Sequence, residues 1–450
     1  MVETQEYKGH WWLPDKENKM VSGVLKYTPG DSIELELIGD FFDFSESFLS
    51  DDRVPVIYGL DSDGKDISLF DCGHSFNIVL KAGFPIAKYH PRYIAVGIHC
   101  LSINEKLFNK AKVRIPELSY WLYPDTLKRD YYSDEEGITG VGVKMTRSSE
   151  VVRTQDKTNL KNGVKISLVK DANYTGDEFL FSTQFEQFTS LVIDCTKEVS
   201  IKYLYEKVIR FEKFLSLATL RNVSFAEMII FSKKDLTSTS KRKHAAIRID
   251  SVFHSVPSNE KIINQDFLFN YFSIESKYKE IIRKWYSRDS KFDAIRNHFL
   301  DSIDYSGQFT FINFLVVIQA LEGYGVRYRK DSIEMETKER VKKASNDGKP
   351  VGKKDITLRD ILSTLLNDYK DISCINKRIN KSAVVDSRHY YSHLTEKQKK
   401  HKLDGVKLFE LTCHLRKLLL CCVLSYLGLN NAEIEQLTKD SHSAIIQLYR

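Results

Sequence analysis

The chain has 450 residues, 42% hydrophobic and 28% charged, with a formal net charge of +6. These values are ordinary for a soluble globular protein and predict two or three domains; the mild basic bias is compatible with nucleic acid without requiring it. Seven scattered cysteines contain no CxxC pair, which excludes a zinc ribbon or thioredoxin-like site and fits a reducing cytosol.

Residues 1–19 are polar and charged around Trp11 and Trp12 and lack the apolar stretch of a signal peptide. The Trp pair reads as core and edge packing of a β domain or as a ligand platform. From about residue 9 to 200 the pattern is that of strands. Residues 21–27 are β-rich, and residues 32–38 alternate strictly between polar and apolar, the period of a half-buried strand. Further strands are expected at 67–71, 76–80, 93–99, 112–115, 140–145, 165–169 and 179–181. Turn signals stand at 29–31, 61–65 and 161–163. Many short strands with loops between them predict a sandwich or barrel-like β domain over residues 1–200.

At about residue 201 the period changes. Tyr203, Leu204, Val208, Phe211, Phe214 and Leu215 fall at helical spacing. Residues 201–306 read as a mainly helical connecting region with a strand-like run at 227–231 and an exposed basic loop at 233–244. From residue 307 to 450 the pattern predicts a helical domain. Its first helix covers 309–324 and ends at Gly323 and Gly325; a charged insertion follows over 327–355. The second helix covers 357–369, capped by Thr357, and the third runs from 374 to about 387. A polar, basic loop at 395–405 leads to a long apolar fourth helix at 406–427, closed by Gly428. The longest apolar run, 418–424, is too short to span a bilayer, so a soluble, cytoplasmic protein without membrane contact is expected.

The run Arg388-His389-Tyr390-Tyr391-Ser392-His393 stands where the third helix gives way to the polar loop. An arginine can hold a phosphate and a histidine can move a proton, with no metal or cofactor called for. On a continuous helix, positions five apart are offset by about 140°, so a bend or a helix end is needed to bring the two side chains together. Arg–His spacings of this kind occur by chance about once or twice in such a chain. Arg92 with His99 and Arg248 with His254 are read as such incidental pairs. The sequence holds no Walker A loop, GxGxxG, HExxH or GxSxG, and no calcium loop of alternating acids.

A helical unit carrying Arg388 and His393 in an Arg-x4-His spacing resembles the HEPN superfamily of metal-independent RNases. The run from Gly9 to Asp15, the strand from Val21 to Leu25, and the apolar helix with Gln319-Ala320-Leu321-Glu322 are similar to the ApeA-type anti-phage family. The resemblance implies an α+β chain with a C-terminal four-helix HEPN-like bundle. It also implies an abortive-infection RNase that cuts tRNA in the anticodon loop, works as a homodimer or larger homo-oligomer, and answers to a phage-derived trigger.

In that reading His393 is the acid or base and Arg388 stabilises the phosphoryl charge. His389 or Tyr391 positions the scissile phosphate. Glu322 either orients Arg388 or His393 or serves a structural ion pair. Lys377, Arg378 and Lys381 before the motif, and Lys397, Lys399, Lys400 and Lys402 after it, either track the RNA backbone or form solvated charged loops. The alternative function is a catalytically inactive HEPN-type RNA-binding or dimerisation protein with a ligand-binding β domain.

Overall fold

The computed structural model describes residues 4–42, 53–75, 86–135, 137–145, 157–176, 183–232, 247–251, 267–287, 289–303, 309–336, 338, 356–375, 379–394 and 400–449. The strands expected at 76–80 and 179–181 and the basic loop at 233–244 lie outside them. The chain divides into two compact units, residues 1–212 with 223–261 and residues 213–222 with 262–450.

The first unit is built on β-strands. Strands β1 (Gln5–Trp12), β2 (Val21–Thr28), β3 (Ser32–Ile38), β4 (Val54–Asp61), β5 (Asp66–Ser75) and β6 (Ile86–His90) form an antiparallel ring. The order is β5–β4–β1–β2–β3–β6, and β6 pairs back onto β5, so the barrel closes. The alternating run of β3 turns Ile33, Leu35 and Leu37 into the core and leaves Glu34 and Glu36 outside. There Lys88 of β6 holds Glu34 at 2.8 Å and Glu36 at 3.2 Å. Each fully buried leucine contributes about 1.5–3 kcal/mol, which is what fixes the strand's register. Trp11 lies flat against Gly59, where an added Cβ would stand 2.3 Å from the indole ring. Trp11 and Trp12 are both buried, so the Trp pair packs the core and offers no ligand platform.

From β5 the sheet continues through β7 (Tyr93–Val96), β15 (Ile247–Ser251), β14 (Glu227–Phe231), β8 (Phe108–Arg114), β13 (Thr183–Val199), β12 (Val164–Gly176) and β11 (Lys157–Asn159). A separate ribbon pairs β9 (Leu127–Asp134) with β10 (Gly137–Met145). The turn signals at 29–31 and 61–65 join β2 to β3 and β4 to β5, and 161–163 precedes β12. One helix interrupts the β region unannounced: α1 (Pro116–Trp121), which Pro116 starts and which buries Leu118 and Trp121. Helix α2 (Ile201–Thr219) follows β13 and buries Leu204, Val208, Phe211, Phe214 and Leu215, the helical face read from the sequence.

The second unit is helical. After α3 (Tyr271–Ile274), α4 (Tyr278–Trp285) and α5 (Ser290–Ile303) comes a set of four: α6 (Phe311–Tyr328), α7 (Leu358–Asp368), α8 (Lys381–His393) and α9 (Gly405–Tyr426). Helix α6 packs on α5, α7, α8 and α9, and α7 packs on α8. The core of α9, Leu418 to Leu424, is completely buried. Helices α10 (Asn431–Asp440) and α11 (His442–Ile446) end the fold.

Three helix limits differ from the sequence reading. Helix α6 does not stop at Gly323 and Gly325 but runs to Tyr328. Gly325 is where α7 approaches, since a Cβ there would stand 2.5 Å from Ile361 Cγ2. The third helix begins at Lys381, not at residue 374, because Asn380 caps it by accepting the N–H groups of Ser382 and Ala383 at 3.1 Å each. It extends beyond residue 387 to His393. In the charged insertion, residues 330–336 are helical, while 337 and 339–355 lie outside the described residues.

Candidate active site

Helix α8 carries the Arg-x4-His run on its last two turns. His393 is its final residue, and Leu394 closes it in a left-handed conformation, φ 51°, donating its N–H to Tyr390 O. The 140° offset is bridged by the reach of the arginine. Arg388 Nη1 lies 3.3 Å from His393 Nε2. A guanidinium only donates, so in this arrangement Nε2 is the acceptor and its lone pair faces Arg388. On its other side Arg388 Nε is 3.5 Å from Glu322 Oε1, which α6 supplies. Both side chains of that pair are more than a quarter exposed. A pair so exposed contributes about 0–1 kcal/mol, too little to explain the fold but enough to choose a rotamer.

One face of α8 is fastened to the segment that precedes α9. Ser387, fully buried, accepts the Leu403 N–H at 2.9 Å, and Tyr391, one turn on, donates its hydroxyl to Leu403 O at 2.9 Å. Both backbone groups of Leu403 are thus held by α8. The Tyr391 ring stacks on Phe311 of α6, centroids 5.0 Å apart and planes 6° from parallel. Burial pushes the Tyr391 hydroxyl up, with Lys402 pulling the other way. Sequence reasoning missed this clip; the i, i+4 spacing of Ser387 and Tyr391 was its one local signal, and the partner, a leucine backbone, has none.

The clip also sets Lys402. Its Nζ lies 5.0 Å over the Tyr390 ring and 5.5 Å over Tyr391, and it pairs with Asp404 at 2.6 Å. That pair raises Lys402 and lowers Asp404 from their ordinary values. His389 is exposed, its ring 6.2 Å from that of His393. Lys381, at the far end of α8, donates to Ser363 at 3.0 Å, and Lys400 is exposed. Lys377, Arg378, Lys397 and Lys399 lie outside the described residues. The structure therefore brings Arg388, His393 and Glu322 together, with the His389 ring 6.2 Å from that of His393, and sets Tyr391 and Lys402 at the Leu403 clip.

Arg92 and His99, in the first unit, have separate partners. Arg92 binds Asp71 at 2.7 Å, while His99 Nε2 is 2.9 Å from Gly59 O. Arg248 pairs with Asp250 at 2.9 Å; His254 lies outside the described residues.

Two protein families match the chain. The family described as ApeA N-terminal domain 1 matches residues 6–285, more than half the chain. The family described as Apea-like HEPN matches residues 315–433. The chain belongs to the ApeA-type HEPN family. The ApeA-type match places the closed barrel in the first family domain and Glu322, Arg388 and His393 within the HEPN domain. HEPN domains are generally ribonucleases, and the ApeA-type proteins are anti-phage proteins. No curated protein and no solved structure matches the chain. Among the described residues, no helix is long and apolar enough to cross a membrane.

Proposed function

We propose that the chain is an endoribonuclease of anti-phage abortive infection that cuts tRNA anticodon loops without a metal, with Arg388 and His393 as its catalytic pair. The observation that carries this reading is the 3.3 Å contact between Arg388 Nη1 and His393 Nε2 at an exposed helix end. RNA supplies its own nucleophile. A base takes the proton of the ribose 2′-hydroxyl, the oxygen attacks phosphorus, and the 5′-oxygen leaves as it gains a proton. The products are a 2′,3′-cyclic phosphate and a 5′-hydroxyl.

His393 Nε2, accepting from Arg388, has the lone pair that proton removal needs. A phosphoryl oxygen arriving at the guanidinium takes over those N–H donors, and the planar fork stabilises the added charge of the transition state. Glu322 keeps the fork aimed through Nε. Lys400, which is exposed, and Lys402, over the Tyr390 and Tyr391 rings, would meet the RNA backbone.

The test is incubation of the purified chain with total tRNA and EDTA, followed by mapping of the fragment ends. Cleavage in an anticodon loop with 2′,3′-cyclic ends is expected. His393→Ala and Arg388→Ala are each expected to lose it while keeping the wild-type circular dichroism spectrum. A variant that still cuts at the wild-type rate removes its residue from the mechanism.

A further inference from the structure

The barrel of the first unit has a cavity at one end. Neighbouring strands run antiparallel, so the turn after β1, the segment after β3, the start of β4 and the end of β5 meet there. The cavity holds about 410 Å³, and seven of its ten lining residues are apolar. Leu13 and Val54 belong to the buried barrel core and Phe42 packs against it, so the cavity floor is continuous with that core. Leu101, 64% exposed, stands at the rim. Three polar side chains share the lining: Arg53, His74 and Asp15.

Two of these polar groups are fixed in place. Arg53 Nε and Nη2 donate to the carboxylate and the carbonyl of Asp71, and Nη2 also donates to His90 O at 3.3 Å. Arg92 Nη1 holds the other carboxylate oxygen of Asp71 at 2.7 Å. Asp71 itself stands at φ 54°, a left-handed conformation that side chains rarely adopt and that surrounding contacts must impose. Arg53 Nη1 lies against Gly73, where an added Cβ would stand 3.0 Å away, and among the described residues it meets no acceptor. The His74 ring stacks on Tyr89, centroids 4.6 Å apart, with Nε2 3.7 Å from Asp40 Oδ2. Asp40 is held in turn by the Tyr89 hydroxyl, which donates to Oδ1 at 2.6 Å.

We propose that this cavity binds a small amphipathic anion, an apolar or aromatic body bearing one carboxylate, sulfonate or phosphate group, with the body on Leu13, Phe42 and Val54 and the anionic group on Arg53. Small-molecule sites are concave, about 300–1,000 Å³, mostly apolar with a few placed polar groups, and common in the mouths of β-barrels; this cavity meets each condition. Arg53 sets the sign of the charge. A guanidinium only donates and stays protonated, so its remaining N–H groups call for an acceptor, and an anionic acceptor is bound more strongly than a neutral one. Because Nε and Nη2 are already pinned, little side-chain freedom is lost on binding. Asp15, the one acid of the lining, is exposed, where water and salt screen it. The site lies wholly within the first unit and does not depend on the roles proposed for Arg388 and His393.

The experiment titrates the full chain with anilinonaphthalene sulfonate, an aromatic body with one sulfonate, and in parallel with phenylnaphthylamine, the same body without it, and reads fluorescence. One saturable site per chain is expected for the sulfonate, with the neutral probe bound about tenfold more weakly. Arg53→Gln is expected to weaken the sulfonate about tenfold and to leave the neutral probe nearly unchanged. Leu101→Asp, at the exposed rim, is expected to weaken the sulfonate by about tenfold through like charge and lost apolar contact. That variant decides the matter if Arg53→Gln loses the wild-type circular dichroism spectrum. An absent sulfonate site, equal affinity for the two probes, or a folded Arg53→Gln chain that binds the sulfonate as the wild type does overturns the proposal, and so does an unchanged sulfonate affinity in Leu101→Asp.

Discussion

Arg388 stands between an imidazole and a carboxylate. His393 Nε2 accepts from one edge of its guanidinium, and Glu322 Oε1 lies near Nε on another. Because the Glu322 pair is exposed, its removal is expected to leave stability nearly unchanged, within about 1 kcal/mol. Its value lies in aiming the fork, and misplacement of a catalytic group by about 1 Å costs on the order of a hundredfold in rate. Glu322→Gln is therefore expected to lower kcat by about ten- to a hundredfold with KM and melting temperature little changed. Steady-state kinetics on a tRNA substrate check this, and an unaltered kcat would remove Glu322 from the site. The Arg388–His393 spacing was legible because both residues sit within one helix end. Glu322 could be noticed as an acid in an apolar helix, but its partner is 66 positions on (388 − 322), and no local pattern encodes a contact between α6 and α8. The hold of Ser387 and Tyr391 on Leu403 was illegible for the same reason.

At the scale of the element, local period and tertiary contact disagreed in identifiable places. The alternation of β3 and the Thr357 cap of α7 were legible because each is a local device: Thr357 accepts the Asp360 N–H while Asp360 accepts from Thr357. Closure of the barrel was not, since the pairing of β6 with both β3 and β5 is non-local. The α6 glycines misled for a physical reason. Gly323 and Gly325 cost helix propensity, which reads as a stop, but α6 keeps Gly325 to let Ile361 in. The two positions separate the effects. At Gly323 the nearest atoms to an added Cβ stand 3.5 and 3.7 Å away, ordinary contact. Gly323→Ala is expected to stabilise by about 1 kcal/mol through propensity alone. Gly325→Leu is expected to destabilise by about 1–3 kcal/mol through overpacking against α7. Urea unfolding followed by circular dichroism measures both. Equal stability of Gly325→Leu and the wild type would mean that α7 gives way freely and that the close approach is not what keeps the glycine.

For the molecule as a whole, the proposed cleavage calls for a second proton-transfer group. Cleavage through the 2′-hydroxyl needs a base and an acid, and Arg388 cannot serve as either because it stays protonated. His389 is near, but it shares a helix face with His393 one turn away and so offers its ring to the same side of a substrate. In the proposed reading a second copy of the helical unit would present another Arg–His pair across the phosphate. The surface around the motif suits that contact. Leu394 and Val406, on the two segments flanking the Leu403 clip, are about 70% exposed (72% and 71%), and Phe311 and Ile312 at the start of α6 are also exposed. Large apolar side chains gathered at one site mark an interaction face more than scattered ones do. The chain is expected to run as a dimer in light scattering coupled to gel filtration. Leu394→Asp with Val406→Asp places like charges in the apolar face, and the doubly substituted chain is expected to be a folded monomer with tRNA cleavage reduced by about a hundredfold or more. A monomeric double variant that cuts tRNA at the wild-type rate would show that one motif suffices, and would overturn the need for a second copy.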